Sequence, residues 1–309
     1  MDLITNESLK RPEIVRWHRR IVERYTPPDG ISLTVILPCS AKKPYSRSKS
    51  HRKFAKYIKK GAKEKMPLVH EIVLTSPLGL VPRELEGVYP AAHYDVPVTG
   101  YWTQEEKEIA LKLLRDYMRK ADTSMIAHVD GAYREICETL DIPLTEENIL
   151  SEDSLKDLKE KVSVVLEDCE PTRINRRIES LKKLCDFQLG KGSSEYLIPK
   201  ETEIKGLQIF FGDEQIASIN PRSGYISLTL RGGELLQGYG EYIVQISFRP
   251  KTNSIFSIGV SHADPQIRPG DEVVVVYNEE VVGVGRAILN GDEMKRAKKG
   301  LAIELRHRR

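Results

Sequence analysis

The run Pro38-Cys39-Ser40-Ala41-Lys42-Lys43-Pro44-Tyr45-Ser46-Arg47-Ser48-Lys49-Ser50-His51 gathers a thiol, two adjacent lysines, four serines, a tyrosine and a histidine without one carboxylate. A thiolate is the side chain best suited to covalent addition at neutral pH, and neighbouring cations increase its share. Cys39 is therefore a candidate nucleophile, or equally a small buried residue that finishes a strand. Lys43 is a candidate anion clamp or proton donor, and Lys42 a surface charge. His51 could shuttle a proton or cap a helix. Ser48 could bind substrate or serve as that helix's N-cap, the commoner use of a serine in this place. Tyr45 in the same run, and Ser76 further on, are candidate substrate contacts.

The elements around the run say how it is held. Leu33 to Leu37 is an uninterrupted apolar stretch with β-branched residues, the pattern of a strand buried on both faces. The reactive run thus leaves the carboxyl end of a core strand, where open α/β sheets bind ligands. His70 to Thr75 and Ser124 to Val129 read as two more buried strands. Helical patterns over Arg52 to Lys65, Glu105 to Lys120 and Ala132 to Leu140 alternate with them, which is the grammar of a mostly parallel sheet in a three-layer α/β domain. Such a sheet brings three strand ends to one edge: Cys39-Ser40, Thr75-Ser76, and His128 with Asp130, the last a candidate catalytic acid. The proline-rich stretch Val88 to Val98 is too irregular for a helix or strand, and long loops of this kind are often functional. Within it His93 and Asp95 are candidate substrate contacts. An acid satisfied by backbone amides would look the same.

The formal net charge is only +3, so a polyanionic partner has to be argued from distribution. From Lys42 to Lys65 there are eleven Lys or Arg against the single acid Glu64. That face is either solvated surface or a phosphate track through Lys56, Lys59, Lys60 and Lys63. A second basic patch lies at Arg16, Arg19, Arg20 and Arg24. Four cysteines, Cys39, Cys137, Cys169 and Cys185, stand far apart, which suits a reducing cytosol and predicts no metal site. The amino terminus lacks the regions of a signal peptide and the apolar runs are strand-sized, so no membrane and a cytoplasmic location are expected. No cofactor is expected.

Between Thr145 and Lys161 the chain turns acidic and loses its apolar period, which predicts a boundary and a first domain over residues 1–160. Glu170 to Leu189 reads as a helix with Pro171 in its first turn and Gly190 just past its end. Short strands around 208–211, 215–219 and 225–230 complete a small α+β module over 161–230. From residue 231 to 309 dense β patterns at 242–248, 271–277, 281–289 and 301–306 predict a small barrel.

Pro-Cys, three residues, Lys-Pro-Tyr, two residues, Ser, two residues, His resembles the signature loop of the archaeosine synthase family, archaeal enzymes that modify a deazaguanine base in tRNA. Gly259-Val260-Ser261-His262-Ala263-Asp264-Pro265 through Val273, with Gly283-Val284-Gly285-Arg286-Ala287 and Gly300, resembles the PUA domain, an RNA-binding pseudo-barrel. The module before it resembles the one that precedes PUA in archaeal tRNA transglycosylases. The resemblance covers nearly the whole chain and corresponds to the family's carboxyl half, with the usual amino-terminal transglycosylase-like barrel missing. No Cys-x-Cys-x-x-Cys cluster is present, so base exchange by this chain alone is not expected.

The resemblance implies addition of free lysine to the nitrile of 7-cyano-7-deazaguanine in tRNA, with a radical-SAM enzyme resolving the adduct and a transglycosylase-like chain as a further partner. It implies Cys39 as a thioimidate-forming nucleophile and Lys43 as proton donor to the amidine nitrogen. His93, Asp95 and Asp130 would hold the lysine ammonium or the base edge, and Arg268, Arg286, Arg306 and Arg308 would contact RNA. It also implies a first domain like the uracil-DNA glycosylase sheet. Two other roles stay open: a non-catalytic tRNA-binding subunit, and a glycosylase-like base-handling enzyme.

Overall fold

The structure, a computed structural model, describes residues 5–94 and 100–309. It divides into two units, Met1–Lys183 and Leu184–Arg309. The first opens with helices α1 (Thr5–Leu9) and α2 (Pro12–Glu23), the latter with proline in its first turn, where the missing N–H costs nothing. β1 (Leu33–Pro38) follows and is buried at every position. After the reactive run come α3 (Lys49–Ala62), β2 (Val69–Thr75), the short β3 (Gly79–Pro82), α4 (Gln104–Lys120), β4 (Ser124–Ala127), α5 (Gly131–Glu138) and α6 (Glu152–Val165). α7 (Arg176–Leu189) holds the boundary between the units.

The sheet order is β3-β2-β1-β4, with β1 parallel to both β2 and β4 and only β3 antiparallel. The continuous apolar run belongs to an inner strand because an inner strand has no wet face. Alternate residues of β1 face opposite layers. Leu33, Val35 and Leu37 join Phe54 and Ile58 of α3 and Leu155, Leu158 and Val162 of α6 in one core. On the other face the Thr34 hydroxyl lies 2.9 Å from the Tyr117 hydroxyl of α4. The three layers expected of an α/β domain are therefore present.

α6 is a departure from the sequence reading. Residues 152–165, which overlap the stretch where a domain boundary is expected, form a helix capped by Ser151, whose hydroxyl accepts from the Ser154 amide. Its buried apolar positions are few, Leu155, Leu158 and Val162, but it packs so closely on α3 that a methyl at Gly61 would stand 2.5 Å from the Lys159 carbonyl oxygen. The boundary expected at 160 falls inside this helix. α7 begins at Arg176 and not near Glu170, so Pro171 lies outside it. Gly190 ends it as expected, at φ +110°, a conformation that side chains resist.

The second unit contains α8 (Ser193–Leu197), then β5 (Thr202–Lys205), β6 (Gln208–Phe211), β7 (Glu214–Ile219) and β8 (Ile226–Leu228), paired antiparallel in that order. α9 (Leu230–Gln237) leads to β9 (Ile243–Ile246), β10 (Ser254–Phe256), β11 (Val260–Ala263), β12 (Glu272–Tyr277), β13 (Glu280–Ala287), α10 (Gly291–Arg296) and β14 (Leu301–Arg308). These six strands form one curled sheet in the order β10-β14-β13-β12-β9-β11. Among the described residues no helix is long and apolar enough to cross a membrane.

Candidate active site

Because β1, β2 and β4 are parallel, their carboxyl ends share an edge, and Cys39 and Thr75 meet there. Cys39 is half-buried and its Sγ lies 2.8 Å from the hydroxyl of Tyr133 in α5. The Thr75 hydroxyl bonds the same thiol and also the hydroxyl of Tyr94, which lies 2.8 Å from that of Tyr45. Trp102 stands edge-on to Tyr133, ring centres 5.1 Å apart. The Lys43 ammonium sits 3.8 Å above the Tyr94 ring. The Ser76 hydroxyl donates to Glu106, a buried acid that also closes the capping box of α4 with Thr103. The result is a thiol and an ammonium set among aromatic faces with polar heads, a lining suited to a planar heterocycle.

The thiol is not activated as the sequence suggested. Burial pushes its pKa up, and the bonds from Tyr133 and Thr75 and the Lys43 charge offset this only in part. Two lysines adjacent in sequence did not ensure a thiolate, because the desolvation of a half-buried sulfur outweighs a cation beside it. Burial also raises Tyr45, Tyr94 and Tyr133 above the ordinary phenol range, so all three are neutral hydroxyls at physiological pH.

His51 has both ring nitrogens committed. Nε2 lies 2.9 Å from the Pro38 carbonyl, and Nδ1 lies 3.0 Å from Nη2 of Arg83. Burial and the Arg83 charge lower its pKa to about 3. It is a fixed neutral imidazole, which runs against the shuttle that its sequence position allowed. Ser48 is the N-cap of α3, its hydroxyl accepting from the His51 amide at 3.1 Å. The capping alternative describes it, and the substrate contact does not.

The third strand end contributes less than expected. Asp130 is exposed at the start of α5 with no side-chain capping bond. His128 has both ring nitrogens occupied, by the Thr145 hydroxyl at 2.8 Å and the Ile149 carbonyl at 3.0 Å, and burial lowers its pKa to about 4. His93 is exposed, its ring 6.2 Å from that of Tyr89. Asp95 lies outside the described residues.

Lys56, Lys59 and Lys60 are exposed on α3, and Lys63, expected within that helix, is exposed just past its end. In the second unit, Arg306 is less available than its place in the strand suggested. Its guanidinium grips Glu272 with two bonds, at 2.6 and 3.0 Å, and Glu272 accepts in turn from the Leu228 amide. Arg286 pairs with Glu304 at 3.0 Å on an exposed face, and Arg308 donates to Asn253 at 3.1 Å. Arg268 donates to the carbonyls of Pro265 and Ile267 and lines a shallow groove with Asn290 and Arg296.

Sequence reasoning placed Thr75 at this edge as a strand end but passed over Tyr94, Trp102, Glu106 and Tyr133 as site residues, and Arg83 and Glu86 with them. For Tyr133 a signal existed: it stands two residues inside the helix after a strand end. Trp102 and Tyr94 come from a segment with no periodicity to read, and only the fold turns them toward Cys39.

Residues 14–162 match the model of a domain of unknown function, DUF5591, and residues 248–308 match the PUA domain. The chain is 41% identical over 323 residues to archaeosine synthase subunit alpha of Methanosarcina acetivorans, covering 98% of this chain and 51% of that protein. It is 40% identical over 321 residues to the same subunit of Thermococcus kodakarensis, covering 99% of this chain and 55% of that one. The chain thus spans about half the length of the curated relatives it matches. Among solved structures, AF0587, a protein of unknown function, superposes with a TM-score of 0.73 at 25% identity over 94% of this chain and 98% of that one.

Proposed function

We propose, for a chain that belongs with the archaeosine synthases by homology over nearly its whole length, a role in tRNA archaeosine formation: the addition of lysine to the nitrile of a 7-cyano-7-deazaguanine base. The observation that carries this is the Cys39 thiol at the edge of β1, 2.8 Å from the Tyr133 hydroxyl and among the rings of Tyr94, Tyr133 and Trp102. A nitrile carbon resists an amine until its nitrogen gains a proton or a stronger nucleophile has added. In the reading we favour, the Cys39 sulfur bonds to the nitrile carbon and the thiol proton passes to the nitrile nitrogen, giving a thioimidate. The lysine amine then adds to that carbon, loses a proton, and the C–S bond breaks. An amidine leaves and the thiol is restored. Lys43, beside Tyr94, would meet the charge that develops on the nitrogen. Because the thiol is raised in pKa, its proton is at hand for the first step.

Tyr45 and Ser76 would line the base site, and His93 and Asp130 the approach of the amino acid. tRNA and free lysine would be the substrates. A radical-SAM enzyme and a transglycosylase-like chain would act before or after. The α3 lysines and Arg268, Arg286 and Arg308 would hold RNA phosphate, with a PUA module in the carboxyl part of the second unit and the chemistry in the first unit, Met1–Lys183. The test is direct: incubation with tRNA carrying the cyano base and labelled lysine should give the adduct mass. Binding of that tRNA without adduct would point to a tRNA-binding subunit, a role that a chain spanning half its relatives' length could also fill.

A further inference from the structure

Arg83 follows β3 directly, and its guanidinium reaches three elements at once. Nε donates to Glu71 of β2 at 2.9 Å, and Nη2 bonds the same carboxylate oxygen. Nη1 donates to Glu86 at 2.8 Å, and that same Glu86 oxygen accepts the Ser46 amide at 3.0 Å. Nη2 also lies 3.0 Å from Nδ1 of His51. A guanidinium has donors and no acceptor, so Nδ1 must accept. The imidazole proton is then on Nε2, which donates to the Pro38 carbonyl at 2.9 Å. Pro38 immediately precedes Cys39, and Ser46 immediately follows Tyr45.

We propose that Arg83 is a positioning residue for the transfer: through His51 and Glu86 it clamps both ends of the loop that carries Cys39 and Lys43. Its activity readout rests on the lysine-transfer role, but its geometry does not. The arrangement needs the planar fork. A lysine is a point charge on a flexible stem and cannot serve two carboxylates and an imidazole in fixed directions. The groups are also largely withdrawn from water, with the Arg83 side chain 22% exposed and those of Glu71 and Glu86 10% and 12%. A pair buried to this degree is screened much less than a surface ion pair. One end of the loop is fixed by the Pro38 carbonyl and the other by the Ser46 amide, both main-chain groups, so freedom gained at the Pro38 end passes straight to Cys39.

The test compares Arg83→Lys, His51→Gln and His51→Ala in the full chain, with thermal melts to confirm that each is folded. Arg83→Lys should lower kcat for adduct formation by about 100-fold, the order expected of a misplacement near 1 Å, with KM for tRNA unchanged. A glutamine amide can accept from Arg83 and donate to the Pro38 carbonyl, so His51→Gln should restore most of what His51→Ala loses. Iodoacetamide labelling of Cys39, followed by peptide mass mapping across pH, supplies a readout independent of turnover. In Arg83→Lys its midpoint should fall toward that of an ordinary cysteine as the loosened thiol meets water. A folded Arg83→Lys protein with parental kcat and labelling profile would overturn the clamp. So would a His51→Gln protein as inactive as His51→Ala, since the imidazole would then be moving protons. If the parent protein makes no adduct, the transfer role fails, and the labelling profile alone decides the clamp.

Discussion

At the scale of the residue, the environment of Cys39 reverses the first impression made by its neighbours. The sulfur is desolvated, and the bond from Tyr133 is the strongest of the groups that favour its thiolate. Removing that bond with Tyr133→Phe should therefore move the pH midpoint of Cys39 alkylation further up and slow adduct formation, while Cys39→Ala should abolish the adduct and leave tRNA affinity nearly intact. An unchanged midpoint in Tyr133→Phe would break the link between the two groups. The histidines carry a second residue-scale consequence. His51 and His128 have folded pKa values of about 3 and about 4, below the 6.5 of a free imidazole. The unfolded chain binds their protons first, so their contribution is complete above pH 6.5 and is lost as pH falls toward 4 and then 3. At about 1.4 kcal/mol per pKa unit, the loss is on the order of a few kcal/mol for each histidine. Denaturant melts followed by circular dichroism should show stability dropping from pH 7 to pH 4.5, above the ordinary carboxylate range, and His128→Gln should flatten that drop.

At the scale of the element, α3 has two unlike faces. Phe54 and Ile58 enter the core that α6 completes, while Lys56, Lys59 and Lys60, with Lys63 just past the helix end, face water. Charge can thus be removed without touching the packing. If these lysines neutralise tRNA phosphates, the quadruple Lys→Gln variant should bind with a salt slope shallower by about 0.7 to 0.9 for each phosphate no longer neutralised. A filter-binding titration of salt should show the slope change of at least two such phosphates. A parental slope would return α3 to plain solvated surface and shift the RNA path to other basic groups. α6, the partner that seats α3, illustrates what periodicity misses. Leu155, Leu158 and Val162 are the apolar residues of its buried face, and charges of both signs crowd the rest.

At the scale of the whole molecule, each unit holds its own sheets, and the boundary lies at residue 183, beyond α6. Glu272 of β12 binds both Arg306 and the main chain of Leu228, so a cut at residue 230 would strip β8 of a partner inside the second unit. Removing residues 184–309 instead should weaken tRNA binding far more than it changes the melting of the first unit. Filter binding and a thermal melt on the shortened chain decide this. Undiminished affinity would take the RNA-binding role away from the second unit.

The sequence by itself determined that Cys39 leaves an inner parallel strand, because only a strand buried on both faces reads Leu-Thr-Val-Ile-Leu without a polar alternation. It determined the glycine stop at Gly190 and the strand-rich carboxyl region, and offered the N-cap as the commoner of two roles for Ser48, since all of these depend on neighbours a few residues away. Tertiary structure alone decided that Tyr94, Trp102 and Tyr133 close around the thiol, and that Arg83 reaches His51 from 32 residues away. It also decided the thiol's proton: burial is a property of everything packed around an atom, and no run of lysines in the chain can reveal how much water the fold removes.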